Sequence, residues 1–128
     1  MNILLVEDEL HVRMALARSL AAWGHEVTEA DSAELALAAT AALDFGLIVL
    51  DINLPDASGW DVLRRCPPGR CSPVIVISAI PPSVARLREF APFGVLLKPF
   101  PIDSLHRLVT NVETAGTPLI SSKEERDD

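Results

Sequence analysis

The chain has 128 residues, 49% of them hydrophobic, and carries 11 basic and 18 acidic residues for a net charge of −7 with His neutral. This length suits one domain with a sizeable core, and the apolar content excludes a disordered protein. The excess of acids argues against direct nucleic-acid binding, because phosphate contacts need clustered Lys and Arg, but it is compatible with a site that holds a cation.

No part of the sequence suggests a membrane segment. Residues 1–9 (MNILLVEDE) lack a basic leader and a long apolar run, so they do not resemble a signal peptide. No segment approaches the roughly 18 apolar residues that span a bilayer. We therefore expect a soluble cytoplasmic protein, in which Cys66 and Cys71 are reduced thiols. A disulfide between them is the alternative, and no further cysteine could complete a zinc site.

Apolar periodicity predicts five strands that alternate with five helices. Short apolar runs that end at polar residues or turn formers predict strands at residues 2–6, 25–30, 47–51, 74–77 and 95–97. Helical spacing and capping residues predict helices at residues 10–23, 33–42, from 59 to the prolines at 67–68, from 83 to 90, and from 102 onwards. This alternation implies a doubly wound α/β fold, a parallel sheet with helices on both faces.

For two of the helices, the sequence also predicts which residues face the core or cap the helix. The first has its apolar stripe at Val12, Leu16, Leu20 and Trp23, which leaves Arg13 and Arg18 to point towards solvent. The second is rich in alanine and begins at a residue that can cap it, Asp31 or Ser32.

Four of the five predicted strands end at residues that can take part in chemistry. The first strand leads to Glu7 and Asp8, the third to Asp51, the fourth to Ser78 and the fifth to Lys98. Because parallel strands share one carboxyl edge, these side chains should converge. Three carboxylates repel one another unless a divalent cation is held, and oxygen ligands suit Mg²⁺. A lysine and a hydroxyl beside them suggest an anionic guest such as a phosphoryl group.

Four motifs stand at these strand ends. They are ILLVEDE at residues 3–9, VLDINLPDASG at 49–59, VIVISA at 74–79 and LKPF at 97–100. In this order they resemble the response-regulator receiver domain of the two-component signalling family, over nearly the whole chain. The resemblance implies a receiver domain at residues 1–115, a polar tail at 116–128, and the flavodoxin-like (βα)5 fold with strand order 2-1-3-4-5.

The resemblance also implies a role for each matching residue. Asp51 corresponds to the phosphoacceptor, and the Mg²⁺ ion would be held by Asp51, Glu7, Asp8 and the backbone carbonyl of Asn53. Among these, Asp8 is the expected direct ligand and Glu7 acts through water. Lys98 corresponds to the phosphate-binding lysine.

Three further positions match the family around that site. Ser78 corresponds to the hydroxyl that follows the phosphoryl group, and Ala79 to the small residue beside it. Pro99 corresponds to the proline that follows a cis peptide bond, which would aim Lys98 at the site.

The resemblance implies partners as well. The phosphoryl donor would be a phosphohistidine on a sensor histidine kinase or a histidine phosphotransfer protein. Signalling would run through the fourth helix, fifth strand and fifth helix to a downstream protein partner or an output domain, and a homodimer is left open. Since no output domain follows the last predicted helix, we expect a stand-alone regulator or the receiver of a larger protein.

The segment before Lys98 departs from the family pattern. Val95 stands where receivers carry an aromatic residue whose rotation reports phosphorylation, and the segment is short and rich in proline. We hypothesise that the coupling between serine and aromatic residue is absent or replaced, with Phe90 or Phe93 as the nearest candidates. The departure keeps an alternative open, namely a pseudo-receiver that acts as a phosphorylation-independent interaction module.

Two other protein classes, a phosphatase and a nucleotide-binding domain, fit the sequence less well. A phosphatase with an aspartyl nucleophile needs a second acid two residues after it, and Asn53 stands there. A nucleotide-binding domain needs a glycine-rich first turn, which the acids at residues 7–9 replace. The three histidines are expected to be solvated or half-buried structural residues: His11, His25 and His106.

Overall fold

The computed structural model describes residues 1–66 and 72–116 and has a five-stranded parallel sheet in the order β2-β1-β3-β4-β5. The strands are β1 (Asn2–Val6), β2 (Glu26–Ala30), β3 (Leu47–Asp51), β4 (Val74–Ser78) and β5 (Gly94–Leu97). The helices are α1 (Leu10–Ala22), α2 (Ala33–Ala42), α3 (Gly59–Arg65), α4 (Val84–Phe90) and α5 (Ile102–Gly116). The doubly wound α/β fold and the strand order are therefore confirmed.

Some expectations fall on residues that the structure does not describe. These are the prolines proposed to stop the third helix, Cys71 and the tail beyond residue 116. No helix in the described ranges is long and apolar enough to cross a lipid bilayer.

The sheet separates two hydrophobic layers. Ile3 and Leu5 of β1 face one layer together with apolar residues of α1 and α5, including Leu20 and Leu105. Leu4 and Val6, together with residues of α2 and α3 such as Ala36 and Val62, fill the other layer. The central strands carry apolar residues on both faces because helices cover both sides of the sheet.

Local capping positions the helices as their sequences predict. The Ser32 side chain accepts the Leu35 N–H at 3.2 Å, so Ser32 rather than Asp31 caps α2. The Ser83 side chain caps α4 in the same way, through the Arg86 N–H. At the start of α1, the Glu9 carboxylate accepts the Val12 N–H at 2.7 Å. Each cap gives a partner to a backbone donor that the helix leaves open.

Candidate functional site

Three acidic residues meet at the carboxyl edge of the sheet. Asp51 is the last residue of β3, and Glu7 and Asp8 directly follow β1, the neighbouring strand. One carboxylate oxygen of each lies within 4.8 Å of the others. Glu7 and Asp51 are buried, at 0% and 1% exposure, whereas Asp8 is exposed. Adjacent parallel strands thus bring together the three acids that the sequence singled out.

Lys98 reaches this cluster from beyond β5. Its Nζ lies 2.8 Å from Asp51 Oδ2 and 3.2 Å from Glu7 Oε1. Strand β4 separates β5 from β3, so the length of the lysine side chain is needed to span that distance. The peptide bond between Lys98 and Pro99 is cis.

The charges of this cluster affect one another. The pKa of Glu7 is raised to about 7, mainly by burial and also by the nearby Asp51 carboxylate, while the hydrogen bond from the Glu9 N–H and the contact with Lys98 oppose the increase. For Lys98, burial by itself would lower the pKa, but the hydrogen bonds and charges of Asp51 and Glu7 outweigh it and raise the pKa. The site therefore holds more negative charge than one lysine balances.

One oxygen of Glu7 is left without a hydrogen bond. Oε2 accepts the Glu9 N–H at 3.1 Å. Oε1 is buried and lies at ion-pair distance from Lys98, but without the geometry of a hydrogen bond. Leaving a buried carboxylate oxygen without a hydrogen bond costs free energy, so this oxygen, unpaired in that sense, suits a further positive charge or a hydrogen-bond donor.

Asn53 and Ser78 are the other two predicted site residues. The Asn53 N–H donates to Asp51 Oδ1 at 2.9 Å, which places this peptide directly beside the carboxylate. The Ser78 hydroxyl donates to the Ile80 carbonyl at 2.6 Å and accepts the Ile80 N–H at 3.2 Å. In this state the Ser78 hydroxyl is thus engaged within its own turn. Ala79, the residue beside it, is exposed.

The predicted position of Arg13, pointing towards solvent, is wrong. Its side chain is only 14% exposed, where solvent exposure was expected. Nη1 donates to the Glu7 carbonyl at 2.9 Å, and Nε donates to Glu29 at 3.2 Å. The long side chain of an α1 residue can fold back over the end of β1, where these acceptors lie, and no local pattern indicates them.

The role of Asp56, which lies in the motif at residues 49–59, was not predicted from the sequence. Its carboxylate accepts the N–H groups of Ala33 and Glu34, at 2.9 and 3.0 Å, at the start of α2. The hydrogen bond from Ala33, with others including that from Glu34, lowers the pKa of Asp56. The contact joins the β3–α3 loop to a helix more than 20 positions away, so only the folded chain reveals it.

Close packing fixes the start of α3 against Asp51. The Gly59 N–H donates to the Ile52 carbonyl at 2.7 Å. A Cβ atom at Gly59 would lie 2.8 Å from the Asp51 carbonyl oxygen. Because real side chains do not come this close, residue 59 must be glycine if the loop is to keep its position.

Val95, the residue expected at the position of the switch aromatic, has neighbours in the core. Val95 is half-buried and packs with Phe90 against the core layer on the α2 and α3 side. Phe90 stacks on Trp60 of α3. Phe93 is 39% exposed. The hypothesis that the coupling between serine and aromatic residue is absent, or replaced by Phe90 or Phe93, stays a prediction.

None of the three histidines belongs to the acidic cluster, and they differ in burial. His11 is exposed, and His106 is exposed with its ring stacked on Trp23 at 4.1 Å between centroids. His25 is buried at 8% exposure, where a solvated or half-buried residue was expected, and its Nδ1 lies 3.0 Å from the amino group of Met1. Burial, with the charge of that amino group, lowers the pKa of His25.

The residues present fit a magnesium ion. Mg²⁺ prefers hard oxygen ligands, takes one or two protein carboxylates and keeps several waters. The cluster offers two buried carboxylates and one exposed carboxylate, and the exposed Asp8 side leaves room for water. The unpaired Glu7 oxygen and the raised pKa of Glu7 both indicate that a cation would relieve charge repulsion here.

Comparison with known proteins identifies the family. The sequence profile of the response regulator receiver domain matches residues 3–110. The chain therefore belongs to the receiver domain family of two-component systems.

Longer curated proteins resemble this chain over part of their length. The response regulator protein FleR of Pseudomonas aeruginosa is 35% identical over 112 residues, which are 84% of this chain and 24% of FleR. The transcriptional regulatory protein CusR of Escherichia coli is 30% identical over 123 residues, which are 94% of this chain and 54% of CusR. The chain thus spans about half or less of the length of these two relatives.

Solved structures share the fold along their whole length. The response regulator protein TrrA from Thermotoga maritima, in complex with Mg²⁺ and BeF, is 28% identical with a TM-score of 0.75, covering 87% of this chain and 97% of that one. A two-component response regulator from Clostridium difficile has a TM-score of 0.82 at 20% identity, covering 89% and 96% of the two chains. At 20% identity, the likeness to the Clostridium difficile structure concerns the fold alone.

Proposed function

We propose that this receiver domain accepts a phosphoryl group on Asp51 in a Mg²⁺-dependent reaction. The donor is a phosphohistidine of a sensor histidine kinase or a histidine phosphotransfer protein. One observation carries the proposal: the buried Asp51 carboxylate lies 2.8 Å from Lys98 Nζ and within 4.8 Å of oxygens of Glu7 and Asp8. A nucleophile, a cation and a pair of metal ligands are the parts that phosphoryl transfer needs.

The chemistry follows from the contacts of Asp51. An Asp51 oxygen forms a bond to phosphorus while the bond from phosphorus to the donor's imidazole nitrogen breaks, so the product is an acyl phosphate. The imidazole leaves with a proton taken from the donor protein or water. Lys98 moves from the carboxylate to the phosphoryl oxygens and balances their charge. The Ser78 hydroxyl leaves Ile80 and donates to one of those oxygens.

The same proposal assigns the metal ligands. Asp8 and Asp51 would hold Mg²⁺ directly, Glu7 would act through water, and the Asn53 carbonyl would be the third protein ligand. When bound, the ion supplies positive charge against the oxygens of the transferring group. The acidic cluster, the unpaired Glu7 oxygen and the Mg²⁺–BeF complex of the similar protein TrrA support this assignment.

Output is proposed through the face formed by α4, β5 and α5. Apolar side chains are exposed there, among them Val84 (62%), Leu87 (36%) and Leu97 (43%), as a contact surface requires. The recipient is a downstream protein or an output domain, and longer transcriptional regulators are among the relatives. We further propose a receiver at residues 1–115 with a polar tail at 116–128, located in the cytoplasm, whose only catalysis is its own phosphorylation and dephosphorylation.

One observation favours a second function. Val95 stands in place of the switch aromatic and is packed against the core, so a phosphoryl signal would lack its usual reporter. A pseudo-receiver that binds its partner without phosphorylation would not need that reporter. The complete set of acids, lysine and serine at the site argues for the phosphoacceptor instead.

Labelling with a small phosphodonor tests the proposal. The chain is incubated with acetyl phosphate, and in parallel with phosphoramidate, each with and without Mg²⁺, and its intact mass is measured. We expect a gain of one phosphoryl group that requires Mg²⁺ and is lost in Asp51→Asn. A wild-type chain that gains nothing from either donor, while binding Mg²⁺ and remaining folded, would favour the pseudo-receiver.

A further inference from the structure

The loop between β3 and α3 is held at two places. At its base, the Gly59 N–H donates to the Ile52 carbonyl, and Asn53 and Ser58 form an antiparallel bridge. Near its tip, Asp56 extends away from the site to the start of α2. The loop is therefore fixed to its own strand at one end and to a separate helix at the other.

Asp56 completes the N-terminus of α2. Ser32 accepts the N–H of Leu35, the third helical residue, and Asp56 accepts those of Ala33 and Glu34, the first two. Hydrogen bonds from backbone N–H groups to a carboxylate are stronger than those to a neutral acceptor, and a negative charge is favoured at a helix N-terminus. The Asp56 contact is thus a firm attachment between loop and helix.

The loop is also the segment that brings Asn53 to the site. The Asn53 N–H contacts Asp51 Oδ1, and under the proposed function its carbonyl is a metal ligand. A backbone ligand cannot adjust its position by changing rotamer, so its placement depends on the loop as a whole. Groups that orient metal ligands in this way commonly affect metal affinity strongly.

We propose that Asp56 is a positioning residue for the metal site: by binding the first two N–H groups of α2, it holds the loop so that Asn53 stays in place for Mg²⁺. The proposal rests on the proposed function for the identity of the ion. The proposal predicts different effects for Asp56 and Ser32. Both side chains cap α2, but only Asp56 belongs to the loop that carries Asn53.

The test compares Asp56→Ala with Ser32→Ala as a matched control. Acetyl phosphate labelling is measured against Mg²⁺ concentration, and exchange of the Asn53 amide hydrogen is measured in the metal-free protein. For Asp56→Ala we expect about a tenfold higher half-saturating Mg²⁺ concentration, with the rate at saturating Mg²⁺ kept within about twofold of wild type. Asn53 exchange should accelerate. Ser32→Ala should leave both readouts at the wild-type value although it weakens the same helix end.

These measurements test the positioning role of Asp56 independently of the proposed phosphoacceptor function. A wild-type Mg²⁺ requirement in Asp56→Ala would overturn it, as would an equal change in Ser32→Ala. Asp56→Asn keeps one acceptor oxygen, so it should give an intermediate Mg²⁺ requirement, and it provides the answer if the alanine variant does not fold. If the wild-type chain takes no phosphoryl group, the proposed function fails, and direct Mg²⁺ titration with the Asn53 exchange rate still decides the role of Asp56.

Discussion

The indole of Trp60 stacks on the ring of Phe90, with ring centroids 5.1 Å apart and planes inclined by 19°. The Arg64 guanidinium lies over the same Phe90 ring at 5.3 Å and pairs with both oxygens of Glu89 at 3.1 and 3.2 Å. None of the residues of α4, all of which are described, is buried. Contacts with α3 side chains therefore make a large contribution to holding α4 in place.

Replacing Phe90 by alanine should loosen α4. We expect Phe90→Ala to lower the free energy of unfolding by about 2 kcal/mol, because it removes an aromatic pair and part of a hydrophobic layer. Urea denaturation measures this loss, and amide hydrogen exchange should accelerate most within α4. Phe93→Ala is the control, since Phe93 is 39% exposed and its loss should cost less. Equal losses in the two variants would contradict the role given to Phe90.

Activation should proceed without an aromatic residue that swings towards Ser78. The resemblance assigns that position to Val95, which packs against the core, and Phe90 is stacked on Trp60. In crystals with and without beryllofluoride, we expect the Ser78 hydroxyl to turn from Ile80 towards Asp51 while Phe90 and Phe93 keep their rotamers. Inward rotation of either ring on activation would show that it has replaced the switch aromatic.

The pKa of Glu7 makes the stability of the metal-free protein depend on pH. The native pKa of about 7 exceeds the ordinary value of 4.5, so the native state binds a proton that the unfolded chain has lost between these values. The stabilisation from Glu7 is complete below about pH 4.5 and decreases as pH rises through 7. We expect this group to account for a decrease of about 1 to 3 kcal/mol in unfolding free energy.

Comparison with Glu7→Gln isolates this contribution, because other acids with lowered pKa values change stability in the opposite direction. The difference in unfolding free energy between wild type and Glu7→Gln should decrease between about pH 4.5 and pH 7 and stay constant outside that range. Mg²⁺ must displace the same proton, so its affinity for the wild type should increase with pH up to about 7, by at most about tenfold per pH unit. A pH-independent difference between the two proteins would contradict the raised pKa.

Removing the charge of Lys98 should separate metal binding from phosphoryl transfer. In Lys98→Met we expect labelling by acetyl phosphate to slow by about a hundredfold, the usual effect of losing one group that stabilises a transition-state charge. Mg²⁺ affinity should stay equal or increase, because Lys98 occupies Asp51 and Glu7 in the metal-free state. Lys98→Arg, which keeps the charge, is the control for folding. Wild-type labelling in Lys98→Met would exclude the proposed role.

Most of the fold could be predicted from local sequence. Helix α2 and strands β1 and β3 have both predicted ends. Among the other elements with a predicted range, one end agrees and the other differs by one residue: β2, β4, β5, α1 and α4. Strands buried on both faces are continuous apolar runs, and caps such as Ser32 and Ser83 are local signals. The strand order was available only through the resemblance, since an alternating pattern does not specify which strands are neighbours.

The sequence by itself determined which residues stand at the strand ends, and with them the members of the candidate site: Glu7, Asp8, Asp51, Ser78 and Lys98. Parallel strands share a carboxyl edge, so a one-dimensional pattern is enough to predict that they meet. Only the tertiary structure decided that Arg13 contacts the Glu7 carbonyl and that Asp56 binds the start of α2. Those contacts depend on side-chain direction and on loops that approach distant helices, and the chain carries no periodic signal for either.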